Sequence, residues 1–315
     1  DTVQIGLENS AAIGFVGASV SSHKSIAKLA QSVAEQGGRA ALSSIMSQKV
    51  SKMLSASISE SEYKTVSLAP EAGTERLRRA AGKRVANQQV IDAASQMAEA
   101  GIRGFKLYFI VGLPTETDDD IDSIAHLAVE VRDAVVAISK PTGKLAWVSL
   151  SVNPFIPKAS TPFQWEPMVD TKSLERKIER VRKLIAKVPN VELRFEPPKE
   201  SYFQALLSRG DRRVCKLLFE MEQRNENWKW LMKRSTERLL PDVPPVDFYV
   251  SRRIGFEQLL PWESVDSLIP RSLLERESMR AHHGEDWVQP RSSDQPLAQG
   301  EDAITRGSVE LAQSS

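Results

Sequence analysis

Between about residue 10 and residue 200, short β-type runs alternate with helical patterns, the sequence rhythm of parallel βα units and not of hairpins. Strands are expected at Ala12–Gly17, Arg39–Ser43, Thr65–Ala69, Gly104–Val111, Leu145–Val152 and Val191–Phe195. The helices between them carry apolar residues on one face, as in Val90, Ile91, Ala94 and Ala98, and again in Leu174, Ile178, Val181, Leu184 and Ile185. This predicts an α/β fold in which each helix covers a strand with one face. A chain of 315 residues is long enough for one α/β barrel core with appendages.

The alternation stops near Glu200. Phe203, Leu206 and Leu207, then Val214, Leu217, Leu218 and Met221, predict a helical extension broken at Arg209-Gly-Asp211. Pro241, Pro244 and Pro245 interrupt the pattern, and the polar text from His282 onward reads as a disordered tail. The expected division is a partial barrel over 1–198, a helical extension over 199–281 and a polar tail over 282–315, with His282 and His283 given no role.

Composition removes several classes of function. Forty-two Lys plus Arg against 41 Asp plus Glu leave a net charge of +1, which gives nucleic acid no electrostatic footprint. No run approaches the length of apolar sequence that a membrane helix needs, and the start has no signal-peptide pattern, so the expected location is the cytoplasm. The single cysteine, Cys215, rules out an internal disulfide and any cysteine-built zinc or iron-sulfur site from this chain alone. The sequence opens at Asp1 and runs almost at once into a buried-strand pattern at Ile13-Gly-Phe-Val16, so it is expected to begin inside a domain.

In a parallel α/β protein ligands gather at the loops that follow the strands. Thr65–Leu68 leads into Ala69-Pro-Glu-Ala-Gly-Thr74, where Thr74 can cap the next helix and Glu71 would point from the mouth. Phe105–Val111 ends in Gly112-Leu-Pro-Thr-Glu-Thr117, whose glycine would let a ligand approach the backbone. The third loop, Asn153-Pro-Phe-Ile-Pro-Lys158 and on to Trp165, is rich in proline and aromatics, as a substrate-facing rim would be. Each is also explained as a stiff βα turn, Asp118, Asp119 and Asp120 as an acidic helix start, and His23 as a solvent-exposed loop residue.

At these loops the chain resembles the radical S-adenosylmethionine (SAM) superfamily, in an uncharacterised bacterial branch whose full-length members often join a cobalamin-binding-like domain to the barrel. The resemblance rests on Ala69-Pro-Glu-Ala-Gly-Thr-Glu-Arg-Leu-Arg78, Lys106-Leu-Tyr-Phe-Ile-Val-Gly-Leu-Pro-Thr-Glu-Thr117, Ile156-Pro-Lys158 with Thr161-Pro-Phe-Gln-Trp165, and Leu207-Ser-Arg-Gly-Asp-Arg-Arg213. Leu259-Leu-Pro-Trp262 looks like a further branch motif. The resemblance implies a (β/α)6-type barrel, here partial, and SAM as the small-molecule partner, with cobalamin allowed as an additional cofactor. It makes Glu71 and Thr74 the leading contacts to the amino-acid and ribose portions of SAM, and Ile110, Gly112 and Leu113 the strand end that packs on adenine. Gly17 and Ala18 are implied at the SAM amino group, although the glycine-glycine-glutamate pattern of the family is missing there. Arg76 or Arg79 would face the SAM carboxylate, or lie on a solvated helix face.

One departure is central. The family's Cys-x-x-x-Cys-x-x-Cys loop, whose three thiolates hold the 4Fe-4S cluster, does not occur. A cysteine-rich stretch that full-length relatives carry near the polar tail is absent too. The expectation is an internal piece of a radical SAM enzyme: the full-length parent would cleave SAM reductively on an unidentified substrate, its cluster held by cysteines upstream of Asp1, while this chain alone would be inactive. The alternatives are a cluster-free barrel remnant and a module that binds SAM or a nucleotide without catalysis. A phosphate-binding barrel enzyme has no glycine-rich anion loop in its favour. No catalytic residue and no metal ligand is assigned.

Overall fold

The computed structural model describes residues 2–16, 20–42, 45–60 and 65–283. In chain order the elements are α1 (Thr2–Asn9), β1 (Ala12–Phe15), α2 (Ile26–Glu35), β2 (Arg39–Leu42), α3 (Lys52–Glu60), β3 (Thr65–Glu71), α4 (Glu75–Ala80), α5 (Asn87–Glu99), β4 (Gly104–Val111) and α6 (Asp118–Ser139). They continue as β5 (Trp147–Pro154), α7 (Thr171–Ile185), β6 (Val191–Phe195), α8 (Pro198–Arg209), α9 (Val214–Gln223), α10 (Trp228–Met232), α11 (Val246–Val250) and α12 (Arg271–His283).

Among the described residues all strand pairs are parallel. β1 pairs with β2, and β3, β4, β5 and β6 form a four-stranded sheet in chain order. The two groups meet where Ile45, just after β2, bridges Leu68 of β3 in parallel and its N–H donates to the Ser67 carbonyl. The core lies between sheet and helices: Phe105, Leu107, Phe109 and Val111 of β4 alternate against α5 and α6, and Val148, Leu150 and Val152 of β5 repeat the pattern. Parallel strands covered by crossover helices need such apolar runs.

Several boundaries differ from the sequence reading for local reasons. β3 continues to Glu71, with a register irregularity against β4 between Leu68 and Glu71. β5 starts at Trp147 and ends at Pro154, matching the eight residues of β4 that it pairs with, and Leu145 is left exposed. On α7 the buried stripe is Leu174, Ile178, Val181 and Ile185, whereas Leu184 is exposed because its position lies roughly 80–100° around the helix from that stripe. His282 and His283 belong to α12 and not to a polar tail. Gly17, Ala18, Ser43 and residues 284–315 lie outside the described residues.

Beyond the sheet, α8 and α9 are separated at Gly210, as the break at Arg209-Gly-Asp211 predicts. Arg209 is buried and donates to the carbonyls of Val250 and Arg252, tying α8 to the segment after α11. Trp165 is fully buried and meets Phe256 edge to face, at 4.8 Å between centroids, above Ile254, Leu260 and Leu274. The far C-terminal segment is thereby folded back onto the loop that follows β5.

Candidate functional site

The corner after β3 is tightly built. Glu71 has φ 73°, in the left-handed region that costs a non-glycine residue about 1–2 kcal/mol. Gly73 lies so close to α6 that a Cβ there would be 2.1 Å from the Asp120 carbonyl oxygen and 2.6 Å from the Ile124 nitrogen. The fully buried Arg78 clamps the same turn, its Nε donating to Ala72 O (2.8 Å) and its terminal nitrogens to Gly73 O (3.0 Å) and Val85 O (2.9 Å). Burial pushes its pKa down to about 10, against the favourable field of Glu75.

Asp120 locks this corner to α6. Its carboxylate accepts from the Thr74 hydroxyl, from Arg76 and from the Thr117 N–H (2.7 Å). Burial alone would raise its pKa, but those hydrogen bonds and the Arg76 charge hold it below the usual range. Thr117 caps α6 and closes a capping box with Asp120, so the acidic helix start expected at Asp118, Asp119 and Asp120 is present, with one of its three members buried.

Glu71, at the end of β3, is ion-paired with Lys83 at 2.8 Å and faces a cleft of 610 Å³ at the C-terminal ends of β3, β4 and β5. Ile110 and Leu113 supply the β4 wall, and Phe155, Ile156 and Phe163 the β5 wall. The end of α4 and the following turn, Arg79 to Lys83, form a third side. Helix α12 closes the fourth with Glu277, Arg280 and Ala281. Ala72, Leu77, Ala80, Leu113, Phe155 and Ala281 pack together beneath this surface. Burial raises the Glu277 pKa, and the nearby Arg280 and Arg276 oppose that rise. The end of α12 is fixed by Glu166, a buried carboxylate that accepts from His282 Nε2 at 2.8 Å and pairs with Arg253 at 3.0 Å.

Of the residues expected to hold a cofactor, Glu71, Ile110 and Leu113 come together in the cleft. Thr74 does not line it: its hydroxyl accepts from the Leu77 N–H, capping α4, and donates to Asp120. Gly112 has φ 85°, and a Cβ there would meet Leu174 of α7 at 2.9 Å. Its N–H donates to Glu116, a buried carboxylate whose pKa burial raises despite its 2.7 Å ion pair with Lys177. Its glycine therefore serves the close approach of α7. Arg79 lines the cleft, whereas Arg76 is bound to Asp120 and Thr115. In the β5 loop Phe155 and Phe163 face the cleft, but Trp165 is core. His23 is exposed and accepts from the Ser25 N–H. Lys158, in the loop expected as a rim, lines the cleft as well, whereas Lys83, Glu277 and Arg280 had no sequence signal beyond being charged.

A larger groove between α6 and α7, about 1140 Å³, is lined by surface ion pairs such as Arg180 with Asp118 and Asp122, away from the strand ends. Cys215, on α9, is exposed and donates to the Arg212 carbonyl at 2.9 Å. Among the described residues no group of three or more His, Cys, Asp or Glu could hold a metal ion. These residues do not fit a 4Fe-4S cluster, which takes at least three protein thiolates in this chemistry. Nor is any described helix long and apolar enough to cross a membrane.

Parallel βα units with a cleft at the C-terminal strand ends define an α/β protein. Residues 8–128 match the model of the Radical SAM superfamily. It is 30% identical over 206 residues to an uncharacterized protein of Methanocaldococcus jannaschii, an alignment covering 65% of this chain and 43% of that one. The chain thus spans less than half the length of this relative. Among solved structures it is similar to Streptococcus suis SuiB, with TM-score 0.41 and 14% identity, covering 59% of this chain and 39% of that chain.

Proposed function

We propose that this chain is the SAM-binding body of a radical SAM enzyme, its six parallel strands forming an incomplete (β/α)6-type barrel with α8 to α12 as the helical extension. The observation that carries the proposal is the meeting in one cleft of Glu71, at the end of β3, with Ile110 near the end of the neighbouring β4 and Leu113 just past it. Glu71 would accept from the SAM amino-acid or ribose portion, Ile110 and Leu113 would pack on adenine, and Arg79 offers a cation to the carboxylate. Thr74 and Gly112 act through the scaffold, as helix cap and packing point, and Gly17 and Ala18 keep their assignment to the amino group.

The single cysteine and the lack of a metal-holding cluster among the described residues mean that no step of reductive SAM cleavage is assigned to these residues. For this chain by itself the same observation favours binding without catalysis. Radical chemistry, with or without cobalamin, is proposed only for a full-length protein whose cluster cysteines lie outside these 315 residues. Coding DNA that specifies Cys-x-x-x-Cys-x-x-Cys upstream, and iron in the purified full-length protein, are the expected results.

Titration calorimetry with SAM tests the binding reading directly. A saturable one-site isotherm is expected, weakened about tenfold by Glu71→Gln, the loss of one charge-assisted hydrogen bond. An isotherm indistinguishable from buffer dilution would remove the proposal.

A further inference from the structure

We infer that the polar face of the four-stranded sheet is a second binding site, distinct from the cleft, and that it takes a small hydroxylated oxyanion such as a sugar acid or sugar phosphate. Phe105, Leu107 and Phe109 of β4, with Val148, Leu150 and Val152 of β5, turn to the helices, so the residues between them share the opposite face. On that face the parallel register sets Ser67, Lys106, Ser149 and Glu192 side by side across all four strands. Two residues further along, Tyr108, Ser151 and Arg194 form a second row. A parallel sheet packed on both faces is apolar on both, and this one is polar on one. None of these seven residues lines the cleft, but Ile110, on the same face of β4, does. Lys106 lies four residues before it, about 13 Å along the strand.

Two adjacent members of the first row lack partners. Ser149 is 2% exposed, and its hydroxyl meets no hydrogen-bond partner among the described residues, a costly state for a buried polar group. Lys106, its register neighbour on β4, is half-buried, with Nζ 4.8 Å from the centre of the Tyr108 ring and no ion pair or hydrogen bond among the described residues. The ring attracts one side of the ammonium but leaves its three N–H donors without an acceptor. Glu192 does not serve it, being paired with Arg194 at 2.9 Å. An oxyanion would take the Lys106 donors, and ligand hydroxyls would meet Ser149, Ser151 and Tyr108, which can each donate and accept. An apolar ligand would leave these groups unpaired, and a bare inorganic ion would engage the lysine alone.

The inference needs no SAM in the cleft and is tested without it, by equilibrium dialysis with gluconate 6-phosphate. One saturable site with Kd below about 1 mM is expected, and glucitol, which has the hydroxyls without the charge, and inorganic phosphate, which has the charge without the hydroxyls, should each bind at least about tenfold more weakly. Lys106→Met keeps the apolar stem and removes the charge, and should weaken gluconate 6-phosphate about tenfold. Ser149→Ala should act with two signs: removal of the orphaned hydroxyl raises the melting temperature of the ligand-free protein by about 2 °C, while the affinity falls about threefold. Four results would each overturn the inference: no saturation by about 10 mM, inorganic phosphate bound as tightly as the sugar phosphate, a Lys106→Met variant that melts and binds like the parent, or unchanged affinity in Ser149→Ala. Should Lys106→Met lose its cooperative melting, Ser149→Ala decides the question alone.

Discussion

At the scale of single residues, Glu71 is where stability and binding pull apart. Its left-handed backbone is a conformation that glycine adopts without penalty, and the Lys83 ion pair it would lose is partly solvent-screened. Glu71→Gly is therefore expected to stabilise the fold by about 0.5–1 kcal/mol while weakening SAM, read by thermal melting beside calorimetry. A lowered melting temperature would show that the corner is not strained. Asp120 makes the opposite case, a side chain spent on holding the corner. Its pKa is depressed in the folded protein, so its contribution is fully present above the unfolded value near 4 and is lost as pH falls through the lower folded value. Asp120→Asn should cost about 2 kcal/mol at pH 7. The gap to the unsubstituted protein should close below pH 4 in urea titrations; a gap that persists there would assign the effect to packing.

At the scale of elements, α12 is the part of the cleft that the linear order hides. Strands β3, β4 and β5 are legible because Val66 and Leu68, or Phe105, Leu107 and Phe109, alternate and end at Pro70, Gly112 and Pro154. Glu71, Ile110 and Leu113 were legible for the same reason, as residues at strand ends. Thr74 and Gly112 were visible as special positions, but whether a hydroxyl meets a ligand or Asp120, and whether a glycine meets a ligand or Leu174, is decided by how α6 and α7 pack. Nothing in Arg271 to His283 announces that Glu277, Arg280 and Ala281 close a cleft built from strands far upstream. That docking depends on Glu166, held by His282 and Arg253 at the far side of the Trp165 cluster. Glu166→Ala leaves Arg253 and His282 facing an emptied site and should loosen α12 by about 2 kcal/mol, roughly thirtyfold faster amide exchange confined to that helix. Exchange raised equally in β4 and β5 would mean global unfolding, and no change would mean that the apolar contacts of Leu274 and Ala281 suffice.

At the scale of the whole molecule, β1 and β6 are outer strands among the described residues, and they are not equally protected. Among the described residues β6 pairs only with β5, and it carries Glu192 and Arg194, charges of the kind that discourage edge-to-edge addition. Among the described residues β1 pairs only with β2, and its sequence Ala-Ile-Gly-Phe has no charge. An uncharged edge with exposed Ala12 and Gly14 offers unpaired backbone to another chain. Association in solution is thus expected to grow with concentration and to run through β1. Gly14 is the position to test it, because a Cβ built there meets no atom within 4 Å and its backbone needs no positive φ. Gly14→Lys should fold as the parent does and shift sedimentation velocity profiles toward the monomer, whereas Glu192→Lys on the already charged β6 should leave them where they were. Identical profiles for Gly14→Lys and the parent would move the association to another surface, the first to examine being the exposed Leu259, Val265 and Leu268 between α11 and α12.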